Sequence, residues 1–238
     1  MSYESSFPPI LALDTSGSST DVALLAQGRL REAHALGGPE ASRHLLRLVT
    51  EVLDVSGLVL GHLGAIAYGA GPGAFTGIRT AAAVALGLAV SIGCPVVPVG
   101  TLEALAHDAQ SAASTRVVTL MDARMGEIYA AIYARRPDGG LDCLLEPFVA
   151  APGVAIEVLG ANLPDGWRDV LVVGAHRLIA VWPEGVVMGS SASVSATAIA
   201  ELAAVKLASG AAFPAEQAQP VYVRNKVAQT LAERAAAQ

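Results

Sequence analysis

The residues best placed to do chemistry are Gly69-Ala70-Gly71-Pro72-Gly73-Ala74-Phe75-Thr76-Gly77-Ile78-Arg79. They follow the apolar run Ala65-Ile66-Ala67-Tyr68 and open an alanine-rich stretch that reaches Ile92. A glycine-rich link from a buried strand to a helix start can offer backbone N–H groups to a phosphate, with Arg79 as a nearby cation. The spacing Gly71-x-Gly73-x-x-x-Gly77 lacks the Lys-Ser/Thr of a P-loop, and its third glycine comes one residue later than in the dinucleotide fingerprint. The competing use is close packing, in which Gly77, Ala81, Ala82, Ala85 and Ala89 let another helix approach to about 8 Å. The stretch Phe75–Ile92 has Arg79 as its one charge and no polar face, so it must be covered on both sides and packing is favoured. His34, His44, His62, His107 and His176 are scattered, with no His-Glu-x-x-His, and no Gly-x-Ser-x-Gly elbow occurs.

The elements that position these residues follow a duplicated plan. Ile10–Asp14 reads as a buried strand ending in a carboxylate, followed by a small polar turn, a strand at Val22–Leu25, a Gln27-Gly28 hairpin turn and Arg29–His34. Val117–Asp122, a turn at Ala123–Gly126, Ile128–Tyr133, a turn at Gly139-Gly140 and Asp142–Leu145 repeat that order. Ala65–Ala70 and Leu171–Ala175 match as well, each leading to an alanine-rich helix (Phe75–Ile92 and Ser193–Ser209). Two related α/β domains are expected, at 1–100 and 101–238, the second smaller and its tail free to pack back on the first. Glu40–Val55 is expected as an amphipathic helix with Leu45, Leu48, Val49, Val52 and Leu53 on one face, and Thr101 as the N-cap of a further helix.

The chain has 238 residues, 53% hydrophobic and 15% charged, which excludes disorder as a description of the whole. A net charge of −6 without any Lys/Arg run speaks against a protein that grips nucleic acid by itself. Cys94 and Cys143 show no metal-ligand spacing and read as ordinary thiols, the N-terminus lacks a basic leader, and a cytoplasmic protein without a membrane span is expected.

Ile10–Leu25, Tyr68–Arg79, Thr101–Leu105, Asp122-Ala123-Arg124-Met125-Gly126-Glu127-Ile128-Tyr129 and Pro220-Val221-Tyr222-Val223-Arg224-Asn225 together resemble the TsaB (YeaZ) family. The resemblance implies the ASKHA fold of actin, heat-shock chaperones and sugar kinases: α/β, two domains of duplicated topology, mixed sheets flanked by helices. It implies a non-catalytic scaffold that binds the catalytic homologue TsaD and the ATPase TsaE. That assembly transfers threonylcarbamoyl from threonylcarbamoyl-adenylate to adenosine 37 of tRNAs reading ANN codons. ATP, Mg²⁺ and a metal would then belong to the partners, tRNA would be met only through the complex, and the chain would pair with itself when alone. The partner surface is expected from Leu45, Leu48, Val49, Val52, Gly73, Phe75, Thr76, Gly77, Arg79, Ala81 and Ala85, with no catalytic or metal-binding residue. Ala41, Arg47 and Ala74 depart from residues common in the family at those places.

Within the superfamily, carboxylates such as Asp14 and Asp122 hold hydrated Mg²⁺ against nucleotide phosphates, so Asp14, Thr15 and Asp122 mark a vestigial nucleotide cleft. A small phosphotransferase or nucleotide hydrolase built on them is the alternative function. The same aspartates also suit strand-end turns, where the side chain accepts from backbone N–H groups. Arg124, Glu127, Arg224 and Asn225 form a charged set read either as a surface salt-bridge network or as a means of positioning the second domain.

Overall fold

Runs of buried β-branched and small residues, broken by turn residues, build two five-stranded sheets. The computed structural model describes residues 8–38, 40–109, 115–136, 140–191 and 193–224; Gly139, Asn225 and the first seven residues lie outside them. The first sheet contains β1 (Ile10–Asp14), β2 (Ser19–Ala26), β3 (Arg29–Leu36), β4 (Ala65–Gly71) and β5 (Val96–Gly100), in the order β3-β2-β1-β4-β5. The first three form an antiparallel meander, and β4 and β5 continue parallel to β1. Gln27 and Gly28 turn the β2–β3 hairpin at positive φ (52° and 71°), as a two-residue hairpin turn requires.

The second sheet repeats this order strand for strand. Its members are β6 (Arg116–Arg124), β7 (Glu127–Arg135), β8 (Leu141–Ala150), β9 (Val170–Gly174) and β10 (Val187–Met188), arranged β8-β7-β6-β9-β10. Again three strands form an antiparallel meander and two lie parallel to the first. The duplicated topology expected from the sequence is therefore present.

Helices fill the layers around and between the sheets. α1 (Ala41–Ser56) and α2 (Phe75–Ile92) cover one face of the first sheet through Leu11, Leu13, Val22, Leu24, Ile66 and Tyr68. The other face, through Ile10, Ala12, Ala65, Ala67, Val97 and Val99, packs on α5 (Ala196–Ala208). α3 (Thr101–Asp108) lies beside α5 and against the second sheet, whose far face is covered by α4 (Pro152–Ala161). The sheets thus share one helical layer, and α5, late in the chain, packs on the early sheet. Lys206 Nζ donates to Glu103 Oε2 at 2.9 Å, tying α5 to α3.

Three local expectations are corrected. The glycine run does not leave the sheet at Tyr68: β4 extends to Gly71, since Gly69 and Gly71 have no side chain to collide with their neighbours. Thr101 is the first residue of α3 and not its cap; its hydroxyl donates to the Pro72 carbonyl, while the Gly100 N–H is met by Glu103 Oε2 at 3.4 Å. The final helix starts at Ala196, where the Ser195 hydroxyl accepts from the Ala198 N–H at 3.1 Å.

Beyond α5 the chain returns to the first sheet. Phe213 pairs with Val96, Tyr68 Oη donates to the Gln219 carbonyl (3.0 Å) and accepts from its N–H (2.9 Å), and the Val221 N–H donates to the Ala70 carbonyl at 2.7 Å.

Candidate functional site

Two features are candidates: a cleft between the sheets and the outer face of α2. The cleft encloses about 760 Å³, bordered by Ser16 and Gly73 from the first lobe and by Asp122, Arg124, Gly174 and Arg177 from the second. It lies where β1, β4, β6 and β9 end, since parallel strands in register bring their C-terminal ends to one edge.

The two aspartates read from sequence as strand ends differ sharply. Asp14 is completely buried. Its Oδ2 accepts from the Ser16 N–H (3.1 Å) and the Ser16 hydroxyl (2.9 Å), while Oδ1 has no partner and lies where a Cβ on Gly69 would come within 2.0 Å. Burial pushes its carboxyl up to about 7, against the partial opposition of the Ser16 hydrogen bonds. Asp122 borders the cleft and is partly exposed; its Oδ1 accepts from the Arg124 N–H at 2.7 Å and its Oδ2 from the Arg124 guanidinium at 3.1 Å. Asp14 caps the turn that follows β1, whereas Asp122 caps a bulge inside β6, which runs on to Arg124 beyond the strand end expected from sequence. Thr15 likewise serves the fold, its hydroxyl donating to the Gly77 carbonyl at 2.6 Å.

This donor set does not fit a Mg²⁺ site. One carboxyl is out of reach of solvent with its ionised form penalised by burial, and the other already faces a guanidinium. Among the described residues no three His, Cys, Asp or Glu side chains group as a metal site. The glycine loop is also filled by the chain itself: the Ala74 N–H donates to the Ser16 carbonyl at 2.8 Å, and a Cβ on Gly73 would lie 2.7 Å from Ser16 atoms.

The partner surface expected from sequence is redistributed by the fold. Leu45, Leu48, Val49 and Val52 are buried under α1 against β2 and β3, and Ala81 and Ala85 under α2 against the same sheet. Gly77 meets not another helix but the β1–β2 turn, where an added Cβ would lie 1.8 Å from the Thr15 carbonyl oxygen. These residues stay inside because the three- and four-residue spacing that makes an apolar face also makes it the face the sheet covers.

What remains outside is a second face of α2. Ile78, Ala81, Ala82, Ala85 and Ala89 point inward, leaving Phe75, Thr76, Arg79, Ala83, Gly87, Val90 and Ser91 exposed; Thr76, Ala83, Gly87 and Val90, with half-buried Thr80 between them, form one stripe flanked by Arg79. This outer stripe repeats in steps of three and four and carries no charge. The helix is long and apolar enough, by length and composition, to cross a membrane. It is nevertheless the crossover between parallel β4 and β5, so its inner face is committed to the sheet. Beside it, α1 shows water Arg43, Arg47, Glu51 and Asp54, with Arg47 paired to Glu51 at 3.0 Å and Arg43 to Glu40.

At the N-terminal end of the stripe sits a cluster that sequence spacing does not reveal. The Arg79 guanidinium lies 3.7 Å from the centre of the Phe75 ring, and its Nε donates to Tyr222 Oη at 2.7 Å. The Phe75 and Tyr222 rings are 5.9 Å apart, and both are more than a third exposed. Tyr222 lies 143 residues from Arg79, so no local signal joins them. Glu127 pairs with Arg224 in the same region.

Two sheets of identical strand order on a shared helical layer, with a cleft at the strand ends, define a two-lobed α/β protein of duplicated topology. Comparison with known proteins narrows this. The chain is 34% identical over 227 residues to the tRNA threonylcarbamoyladenosine biosynthesis protein TsaB of Escherichia coli K12, covering 92% of this chain and 96% of that one. It is 32% identical to the Haemophilus influenzae TsaB, over 92% and 94% of the two chains. The structure of YeaZ from Pseudomonas aeruginosa superposes with a TM-score of 0.79 at 33% identity, covering 91% of this chain and all of that one. The family model of TsaD, tRNA N6-adenosine threonylcarbamoyltransferase, matches residues 38–156. The chain belongs to the TsaB (YeaZ) family of tRNA threonylcarbamoyladenosine biosynthesis proteins.

Proposed function

We propose that this chain is the non-catalytic scaffold of the bacterial assembly formed with TsaD and TsaE. That assembly transfers threonylcarbamoyl from threonylcarbamoyl-adenylate to adenosine 37 of tRNAs reading ANN codons. The observation that carries this reading is the outer face of α2, where Thr76, Ala83, Gly87 and Val90 are open to solvent and Arg79, near its N-terminal end, is the one charge on a helix otherwise built for burial. Small residues at these positions permit a partner helix to approach closely, and the charged outer side of α1 forms a polar rim. TsaD is the partner of choice, and a second copy of this chain takes its place when TsaD is absent. Support for a scaffold role comes from Asp14 and Asp122, both engaged by the backbone N–H two residues on. The net charge of −6 favours tRNA contact through the complex and not by this chain alone. ATP, Mg²⁺ and the catalytic metal belong to the partner subunits, and the assembly works in the cytoplasm.

The test is Gly87→Leu, a position where an added Cβ meets nothing within 4 Å and which lies on the outer stripe. The variant is expected to fold with unchanged or slightly higher stability, since glycine is a poor helix former. Self-association and TsaD binding should weaken by about tenfold or more, because a leucine at the centre of a close helix contact is overpacked by about 1–3 kcal/mol. Sedimentation and a reconstituted modification assay check this. Wild-type TsaD binding by the folded variant would remove α2 as the docking face, and full tRNA modification without this chain would overturn the scaffold role.

A further inference from the structure

The segment after α5 touches both lobes, although its chain neighbours give it no reason to. On the first lobe it is held by Tyr68 to Gln219, by Ala70 to Val221 and by Arg79 to Tyr222. A Cβ on Gly71 would come within 2.8 Å of the Val221 carbonyl oxygen, so only glycine lets the segment lie this close. Two residues further on, Arg224 pairs with Glu127 of the second lobe, and its guanidinium lies 6.0 Å from the centre of the Tyr129 ring. Val221, Tyr222, Val223 and Arg224 all border the interlobe cleft. The segment therefore runs along the cleft from one lobe to the other.

We propose that residues 219–224 are a clasp across the interlobe cleft, released at Arg224–Glu127 and coupled through Tyr222 and Arg79 to the docking face of α2. The lobe-two end is held by that ion pair, in which the Glu127 side chain reaches solvent (38% exposed) while Arg224 is mostly covered (13%), and by Val223 packed on the core. Among the described residues no backbone hydrogen bond reinforces it, so it is the end that opens first. The lobe-one end is anchored by backbone hydrogen bonds and a buried tyrosine ring. Arg79 belongs to both structures: it rises from the start of the second turn of α2 and holds Tyr222 by ring contact and hydrogen bond. A protein seated on α2 would immobilise Arg79 and Phe75, hence Tyr222, and the clasp would close more firmly over the cleft. The reverse also holds, since a coupling free energy acts equally in both directions. The coupling half of this inference rests on α2 being the docking face; the clasp itself does not.

Amide hydrogen exchange on the full chain separates the two. The six residues open as one short segment, so loosening its Arg224 end exposes more often the Val221 N–H, bonded to Ala70, and the Gln219 N–H, bonded to Tyr68, which report the clasp through that shared opening. Glu127→Lys places like charges at the release point and is expected to speed exchange at both amides by about tenfold, with Glu127→Lys/Arg224→Glu restoring the wild-type rate. Unchanged exchange in Glu127→Lys, or no restoration in the double variant, would overturn the clasp. Saturating TsaD is expected to slow the same amides several-fold in the wild type but not in Tyr222→Ala, which retains the outer stripe of α2. Equal protection in Tyr222→Ala would overturn the coupling. Failure of TsaD to bind the wild type would overturn the coupling together with the docking reading, while the charge-swap result would still decide the clasp.

Discussion

Gly77→Ala is expected to be among the most damaging single substitutions in this protein, although it adds one methyl group to a helix and alanine is the better helix former. The new Cβ would lie 1.8 Å from the Thr15 carbonyl oxygen and 2.8 Å from its carbon. Both are backbone atoms of the turn that joins β1 to β2, so no side-chain rotation relieves the overlap. The turn is held from several sides: Thr15 donates to the Gly77 carbonyl, Ser16 accepts from Ala74, and Ser16 caps onto buried Asp14. Moving α2 outward would break these bonds and open the core beneath Ile78 and Ala81. A loss of at least about 3 kcal/mol is expected, the upper end of overpacking costs. For a chain of this size that corresponds to a fall in Tm of roughly 6–12 °C. Thermal unfolding of Gly77→Ala beside Gly87→Ala checks it, because Gly87 has open space around it and should gain up to about 1 kcal/mol. Equal melting temperatures for the two variants would mean that the close approach at Gly77 is wrong.

Asp14→Asn is expected to stabilise the protein in a pH-dependent way. Burial pushes the Asp14 carboxyl up to about 7 in the folded state from 3.8 when unfolded, so the folded state binds the proton more tightly. The stability gained by that proton is fully present below about pH 3.8 and is lost as pH rises towards 7. Above that the charged, buried carboxylate costs on the order of 4 kcal/mol relative to its protonated form. Asparagine keeps an oxygen to accept from Ser16 and never ionises. The variant should therefore exceed the wild type by a few kcal/mol at pH 8, with the gap narrowing steadily towards pH 5. Urea unfolding at several pH values measures it, and parallel curves for the two proteins would contradict the burial of an ionisable Asp14. This result would also weigh against Mg²⁺ organisation by Asp14, since a metal-holding carboxylate is expected to lose function when neutralised and not to gain stability.

The contrast between the aspartates shows how far motif reading reaches. Both end an apolar run in the sequence and each carboxylate accepts from the backbone N–H two residues on, but only Asp14 ends its strand; β6 continues past Asp122 to Arg124. Nothing in the local sequence separates the fully buried Asp14 from Asp122 at the edge of the cleft. The separation comes from Gly69 and α5, which close over Asp14 from distant parts of the chain; Ile199 of α5 would lie 3.4 Å from a Cβ on Gly69.

Strand and helix identity were legible because they follow from period and punctuation. Apolar runs ending at Asp14 and Asp122, the Gln27-Gly28 turn and the three- and four-residue spacing in α1 each act within a few residues. The repeat of that punctuation also carried the duplicated sheet order. α4, β5 and β10 were not foreseen: Pro152–Ala161 is apolar without a clear face, and β10 has only two residues. Which face of α2 turns inward was undetermined, because alanines and glycines surround the helix and give no amphipathic direction. Only docking on β1 and β4 selected Ile78, Ala81, Ala85 and Ala89 for the core and left Ala83, Gly87 and Val90 to solvent. The placement of α5 on the early sheet and the path of 219–224 between the lobes were likewise decided in three dimensions. Those contacts join residues more than ninety positions apart, as in Tyr68–Gln219 and Glu127–Arg224. Short-range propensity carries no information about pairs so distant; they form because burying both sheet faces leaves the chain few other places to go.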